Sequence, residues 1–217
     1  MNNDKENAII DRLKKAILEG EVDMAPEVTQ EALNAGVTAE RLREKAVSQG
    51  IAELEEKLYG NFKVWGSPYL FIGMEAARRC LEVLQPRLKP HVPLGTVVLG
   101  TPQGDVHDVG GKMVAIALTA ASFKVVYLGR DVPLTLFIHK VRERGADILA
   151  ISSYQTSGFA RIEKILELLE VANMRDRVKV MVGGTTVSGK FAHKYGLLYA
   201  NTASGAVRLA KECMGRK

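Results

Sequence analysis

Two periodicities divide the chain. Over the first 90 residues apolar side chains return at helical spacing. Ile9, Ile10, Leu13, Ile17 and Leu18 mark one amphipathic helix, which Gly20 closes. Pro26 and Gly36 frame a short second one. A third opens at Thr38-Ala39-Glu40-Arg41, keeps Leu42, Ala46, Ile51, Leu54 and Leu58 on one side, and ends at Gly60. A fourth covers about 68–88, carrying Leu70, Met74, Ala77, Leu81 and Leu84. Four amphipathic helices with short connections predict a four-helix bundle. Pro86, Pro90 and Pro93 then punctuate a link.

From Gly95 the pattern changes to short β-branched runs separated by helical stretches. Strands are predicted at 96–100, 124–128, 147–152, 178–182 and 198–200. Helices are predicted at 108–122, 134–144, 159–171, 189–195 and from 203 onward. Strands spaced by helices of this length build βαβ units and a parallel sheet. The expected fold is therefore α/β: a flavodoxin-like (Rossmann-like) five-stranded parallel sheet in the order 2-1-3-4-5, preceded by a four-helix-bundle cap domain. The expected boundary puts the cap at 1–90 and the sheet at 91–217.

Charge agrees with that division. The chain has 217 residues and a net charge of +5. Residues 1–90 hold 13 Lys/Arg against 15 Asp/Glu, whereas residues 91–217 hold 17 against 10. The excess of positive charge thus belongs to the second half, scattered over helix faces without aromatic interleaving, which argues against a nucleic-acid surface. No apolar run approaches the ~18 residues of a membrane span. The charged, amphipathic start MNNDKENAIIDRLKK does not read as an export signal. Cys80 and Cys213 are too few for a disulfide framework, and a reducing cytoplasmic setting is expected.

In a sheet of this order, ligands bind beyond the carboxyl ends of the strands, where the first and third meet. Two loops matter first: Gly100 to Gly111, containing Gly104-Asp105-Val106-His107-Asp108-Val109-Gly110, and Ser152-Ser153-Tyr154-Gln155-Thr156-Ser157-Gly158. The loop after the fourth strand adds Gly183-Gly184-Thr185-Thr186. Glycine and small hydroxyl residues crowd all three, so something large can approach the backbone. Neither GxGxxG nor GxxxxGK[ST] occurs. The third strand ends in Ser152-Ser153, so no acidic phosphorylation site closes it.

His107 stands out because Asp105 lies two residues before it. A ligating imidazole commonly donates its other ring N–H to a carboxylate. One histidine cannot hold a free zinc ion, which needs about four ligands. His91, His139, His193 and the cysteines offer no ligand spacing. A lone imidazole suits a metal whose other positions a macrocycle already fills. Asp105 and His107 can also be read as residues that merely cap and shape the turn.

At these residues the chain resembles a family. Asp105-Val-His107-Asp-Val-Gly110 is similar to the Asp-x-His-x-x-Gly motif of cobalamin-binding domains. Leu128-Gly-Arg-Asp-Val-Pro133 resembles the segment that closes their second strand. Ser152-x-Tyr154-x-Thr156 sits where they have Ser-x-Leu-x-Thr, and Gly183-Gly184 matches their Gly-Gly. The helical half, with Leu84-Gln-Pro-Arg-Leu88 closing its last helix, is similar to the cap of methyltransferase corrinoid proteins and methionine synthase.

The resemblance implies a cofactor: cobalamin, as methylcobalamin or a related corrinoid, with His107 as lower axial ligand of cobalt and Asp105 bonded to that imidazole. Gly104, Val106 and Asp108 would shape the loop, and Gly110 would let the next helix start close to the corrin. Ser152, Tyr154, Thr156, Gly183, Gly184 and Thr185 would line the channel of the nucleotide tail. The cap would shield cobalt, with Trp65, Tyr69 and Phe71 as candidates for covering the corrin.

It also implies a function. The chain would be a methyl carrier rather than a complete enzyme, shuttling a methyl group between partner methyltransferases. The acceptor would be tetrahydrofolate or a thiol, and a reductive activase would be a further partner. Three features depart from the family pattern. Tyr154 replaces leucine, Gly158 occupies the position of a serine in methionine synthase, and Gly111-Lys112 replaces Lys-Asn. The last leans toward the alternative, a cobalamin subunit of an adenosylcobalamin-dependent mutase, although a preceding helical cap argues against it. A cobalamin-based sensor is the third reading, but the bundle leaves no room for a DNA-binding head.

Overall fold

A computed structural model describes residues 3–59, 67–89 and 92–215, with the side chains of 58 and 59 excepted. Gly60, Trp65, Pro90, His91 and the side chain of Leu58 therefore lie outside the described residues. The chain divides into two compact units, Met1–Val92 and Pro93–Lys217.

The first unit is helical: α1 (Asn3–Glu19), α2 (Met24–Asn34), α3 (Ala39–Leu42), α4 (Gln49–Tyr59) and α5 (Pro68–Leu84). The third amphipathic stretch is one rod in which a π-helical turn, Arg43–Ser48, joins α3 to α4. Thr38 caps its start, Oγ1 accepting the Arg41 N–H at 3.3 Å. The five-residue step from Ala46 to Ile51, one longer than α-helical spacing allows, was the sign of this turn in the apolar pattern. Pro68 begins α5 at a position where its missing N–H does no harm. Pro86 lies within the 3₁₀ turn Gln85–Arg87 that follows. Leu13, Ile17, Leu42, Leu70, Met74 and Leu84 are fully buried in the bundle.

Cys80 of α5 is buried too, and its thiol is pushed up to about 11 from an ordinary 9.0. Burial drives the rise, and a hydrogen bond with Thr29 offsets it only in part. A raised folded value means stability that is intact below pH 9 and fades as pH climbs toward 11. The advantage of the native chain over Cys80→Ala is therefore expected to shrink by about 2–3 kcal/mol across that window. Urea midpoints of both proteins at pH 8 and pH 11 check this, and a constant gap would contradict it.

The second unit is a five-stranded parallel sheet in the order β2-β1-β3-β4-β5. Its strands are β1 (Thr96–Gly100), β2 (Lys124–Tyr127), β3 (Ile148–Ser152), β4 (Lys179–Gly183) and β5 (Leu198–Tyr199). Between and after them run α6 (Val109–Ala120), α7 (Leu134–Arg144), α8 (Gly158–Val171), α9 (Gly189–Lys194) and α10 (Ala203–Cys213). Strand residues alternate between two apolar layers, as the pleat demands. Val98, Leu149, Ile151, Val180 and Val182 pack with Phe137 of α7 and Ile162, Ile165 and Leu166 of α8. Val97, Leu99, Ile148, Ala150 and Met181 pack on the other face with Leu118 of α6 and Ala206 and Ala210 of α10. With β1 flanked by β2 and β3, the sheet reverses its winding there, and the loops leaving β1 and β3 become neighbours.

Candidate functional site

The loop after β1 is held along its length by peptide groups. Thr101 N–H donates to Gly129 O at 2.9 Å, Val132 N–H to Thr101 O at 3.0 Å, and Gln103 N–H to Val132 O at 2.8 Å. Pro102 and Val132 form an isolated parallel bridge. One step further, Asp131 N–H donates to Asp105 O at 3.1 Å, while Asp131 Oδ1 accepts Gly104 N–H at 2.6 Å. Asp131 makes that double contact with φ of 54°, a region that aspartate tolerates better than most residues. Its role was missed from sequence; the signal was the Gly129-Arg130-Asp131 turn composition.

This anchoring presents Asp105 inward and His107 outward. Asp105 is 0% exposed, whereas the His107 side chain is 49% exposed. Asp105 Oδ1 accepts from His107 N–H at 3.0 Å and lies 2.9 Å from His107 Nδ1. Oδ2 accepts from Tyr154 N–H at 2.7 Å, Gln155 N–H at 3.2 Å and Ser153 Oγ at 3.4 Å. Burial alone would push this carboxyl up, but the donations from Tyr154, His107 and Gln155 outweigh it and hold the carboxyl below its ordinary value. An ionised carboxylate can only accept, so Nδ1 carries a hydrogen and the lone pair of the neutral imidazole sits on Nε2. No hydrogen bond to that nitrogen exists among the described residues.

The structure gathers the sequence-predicted residues unequally. Val106 and Tyr154 flank His107, each about half exposed, and the Tyr154 ring stacks on the imidazole. Asp108 lies mostly buried at the start of α6, its carboxylate 3.0 Å from Lys112 Nζ and its carbonyl accepting from Tyr127 OH at 3.3 Å. Burial, then the Asp108 charge, raises Tyr127 well above the usual phenol range. Gly110 is half-buried in the first turn of α6, and Ser152 is half-buried at the end of β3. Thr156 and Thr185 are exposed on their loops. In the helical unit Tyr69 is 73% exposed and Phe71 half-buried.

Two glycine positions carry a reason that composition alone hid. A Cβ on Gly183 would overlap the Ala200 carbonyl oxygen, and one on Gly184 would overlap the Ser153 carbonyl oxygen. Close packing of strand ends fills those positions. Gly158 has a different neighbour: a side chain there would overlap Ser153 Oγ, the hydroxyl that reaches Asp105. The hydroxyl beside the carboxylate therefore comes from the end of β3, not from the start of α8. Ser153 is 1% exposed and was passed over in favour of Ser152.

The donor set fits a macrocyclic metal cofactor. No cluster of three or more His, Cys, Asp or Glu able to hold a metal ion exists among the described residues. One imidazole with a fixed tautomer and a free, outward Nε2 supplies one ligand and no more. A metal whose other positions a macrocycle fills would need one such ligand.

Comparisons with known proteins agree with this chemistry. Residues 95–206 match the family model of the B12 binding domain. The chain is 37% identical over 211 residues to the trimethylamine corrinoid protein of Methanosarcina barkeri, covering 95% of this chain and 96% of that one. Its fold is similar to the monomethylamine corrinoid protein of the same organism, with TM-score 0.60, 30% identity and coverage of 95% and 98%. It is also similar to a chain of the methanol:cobalamin methyltransferase complex of Methanosarcina barkeri, with TM-score 0.75, 26% identity and coverage of 97% and 81%.

Proposed function

Because this chain belongs to the B12-binding family and aligns nearly end to end with corrinoid proteins of methyltransferase systems, we propose that it takes its methyl group from a methylated amine. It is a corrinoid methyl carrier, and partner methyltransferases bring it the donor and the acceptor. When bound, the corrinoid supplies a reduced cobalt centre nucleophilic enough to accept a methyl group and to release it again.

The observation that carries the reading is His107, a single imidazole with Nε2 outward and Nδ1 bound to a buried carboxylate. His107 would be the protein's ligand to the cobalt, through Nε2. Asp105 would keep the proton on Nδ1 and steady the imidazole as the electron demand of its other nitrogen changes. Gly104, Val106, Asp108 and Gly110 would form the floor around that ligand. Ser152, Tyr154, Thr156, Gly183, Gly184 and Thr185 would border the nucleotide tail. An acceptor of the tetrahydrofolate or thiol class and a reductive activase would complete the system. Among the described residues no helix is long and apolar enough to cross a membrane. Cys80 and Cys213 are free, which supports a reducing cytoplasmic setting.

The visible spectrum of the reconstituted, reduced protein tests the proposal. It is expected to change on adding a methylated amine only when an amine methyltransferase is also present. A response to methanol with a methanol methyltransferase, and none to any amine, would move the donor class. Stable uptake of adenosylcobalamin and activity with a mutase large subunit would overturn the carrier role.

A further inference from the structure

Tyr154 engages the carboxylate–imidazole pair twice. Its N–H donates to Asp105 Oδ2 at 2.7 Å, and its ring lies on the His107 imidazole with centroids 4.4 Å apart and planes inclined by 28°. The Nδ1 hydrogen bond pins one edge of the imidazole but leaves it free to twist about that bond. A flat neighbour against one face removes the twist. The phenol hydroxyl has no hydrogen bond among the described residues and the residue is 50% exposed, so the ring face rather than the polar tip makes the contact. Leucine, which the family pattern places here, has no flat face to offer an imidazole.

We propose that Tyr154 is a positioning residue that presets the His107 ring, Nε2 outward, before a corrinoid arrives. The inference rests on the proposed role of His107 as cobalt ligand. A ligand already oriented loses less freedom on binding, so affinity rises without any new contact to the cofactor. The size of the effect is that of one aromatic pair, about five-fold in affinity.

Cob(II)inamide is a suitable probe, because it lacks the nucleotide tail and its attachment depends more heavily on the imidazole. Half-saturation is read from the visible spectrum, and the cobalt–nitrogen bond from splitting of the paramagnetic resonance signal. Tyr154→Phe is expected to match the native protein. Tyr154→Leu should keep the split signal yet need about five-fold more probe. In a His107→Ala background, Tyr154→Leu should add nothing further. Equal or tighter binding by Tyr154→Leu would overturn the proposal, since the ring would then be neutral or an obstruction. An equal loss in the His107→Ala background would also overturn it, because the ring would be touching the corrinoid directly. Should His107→Ala retain the split signal, the ligand reading fails instead, and the two failures are distinct.

Discussion

Asp105→Asn is expected to leave the fold standing while turning His107 away from its proposed role as cobalt ligand. The new amide has one oxygen and one NH2 to place. Where Oδ2 now lies it would meet the Tyr154 and Gln155 N–H groups, which can only donate. With two backbone donors on that side and one on the other, the amide oxygen stays there, and the NH2 turns toward His107, leaving the His107 backbone N–H without its acceptor. An NH2 facing Nδ1 favours the tautomer with Nδ1 bare and the hydrogen on Nε2, the atom proposed to bind cobalt. Loss of such a supporting carboxylate typically lowers metal affinity about 10–100-fold, and a drop in corrinoid affinity of that size is expected. Nitrogen-15 NMR of the imidazole reads the tautomer directly. A protonated Nδ1 with unchanged corrinoid affinity would sink the argument. Asp105→Ala, by contrast, would strand the buried donors and is expected to destabilise by about 3 kcal/mol as well.

Gly184→Ala is expected to act on stability rather than on the ligand's electronic state. Gly184 has φ of 116°, and a Cβ there would overlap Ser153 O while standing 2.7 Å from Ser153 C and 3.0 Å from Ser153 N. All three are backbone atoms next to the Tyr154 and Gln155 N–H groups, and Ser153 N–H also donates to Gly183 O at 2.9 Å. Nothing flexible can give way, so β3 and β4 must part at their ends. The expected cost is about 4 kcal/mol, at the upper end for single substitutions. For a unit of this size that lowers the melting temperature by about 10–20 °C. Gly196→Ala is the control: its φ is 61°, but no atom lies within 4 Å of the added Cβ. Only a modest conformational penalty, about 1 kcal/mol, is expected there. Similar thermal shifts in the two variants would show that the clash at 184 is relieved.

The sheet order was legible because each strand is a short β-branched run between helix-length intervals, and a right-handed parallel sheet leaves few alternatives. Helix ends were legible where chemistry marks them, as at Thr38, Pro68 and Gly20. The junction of α3 and α4 was not read, although the five-residue step from Ala46 to Ile51 carries the extra residue of the π turn. At the site, residue types with chemistry of their own, Asp105 and His107, stood out. The Tyr154 and Gln155 N–H groups did not, because every residue but proline has one and only the approach of β3 to β1 aims them at Asp105. Gly183 and Gly184 could be seen as unusual, but the atoms that crowd them, Ala200 O and Ser153 O, belong to segments distant in sequence. Ser153 escaped notice for the same reason.

The peptide-group seam between 101–105 and 129–132 also bears on how such a site can change over generations. Peptide groups are identical whatever side chain they carry. Positions such as 103 and 155 can drift through most amino acids while Gln103 N–H and Gln155 N–H keep their present acceptors, Val132 O and Asp105 Oδ2. Proline is the exception, for want of the N–H. A lineage of such proteins is thus free to change the side chains around the site, one residue at a time, without disturbing the hydrogen bonds that hold Asp105 and His107.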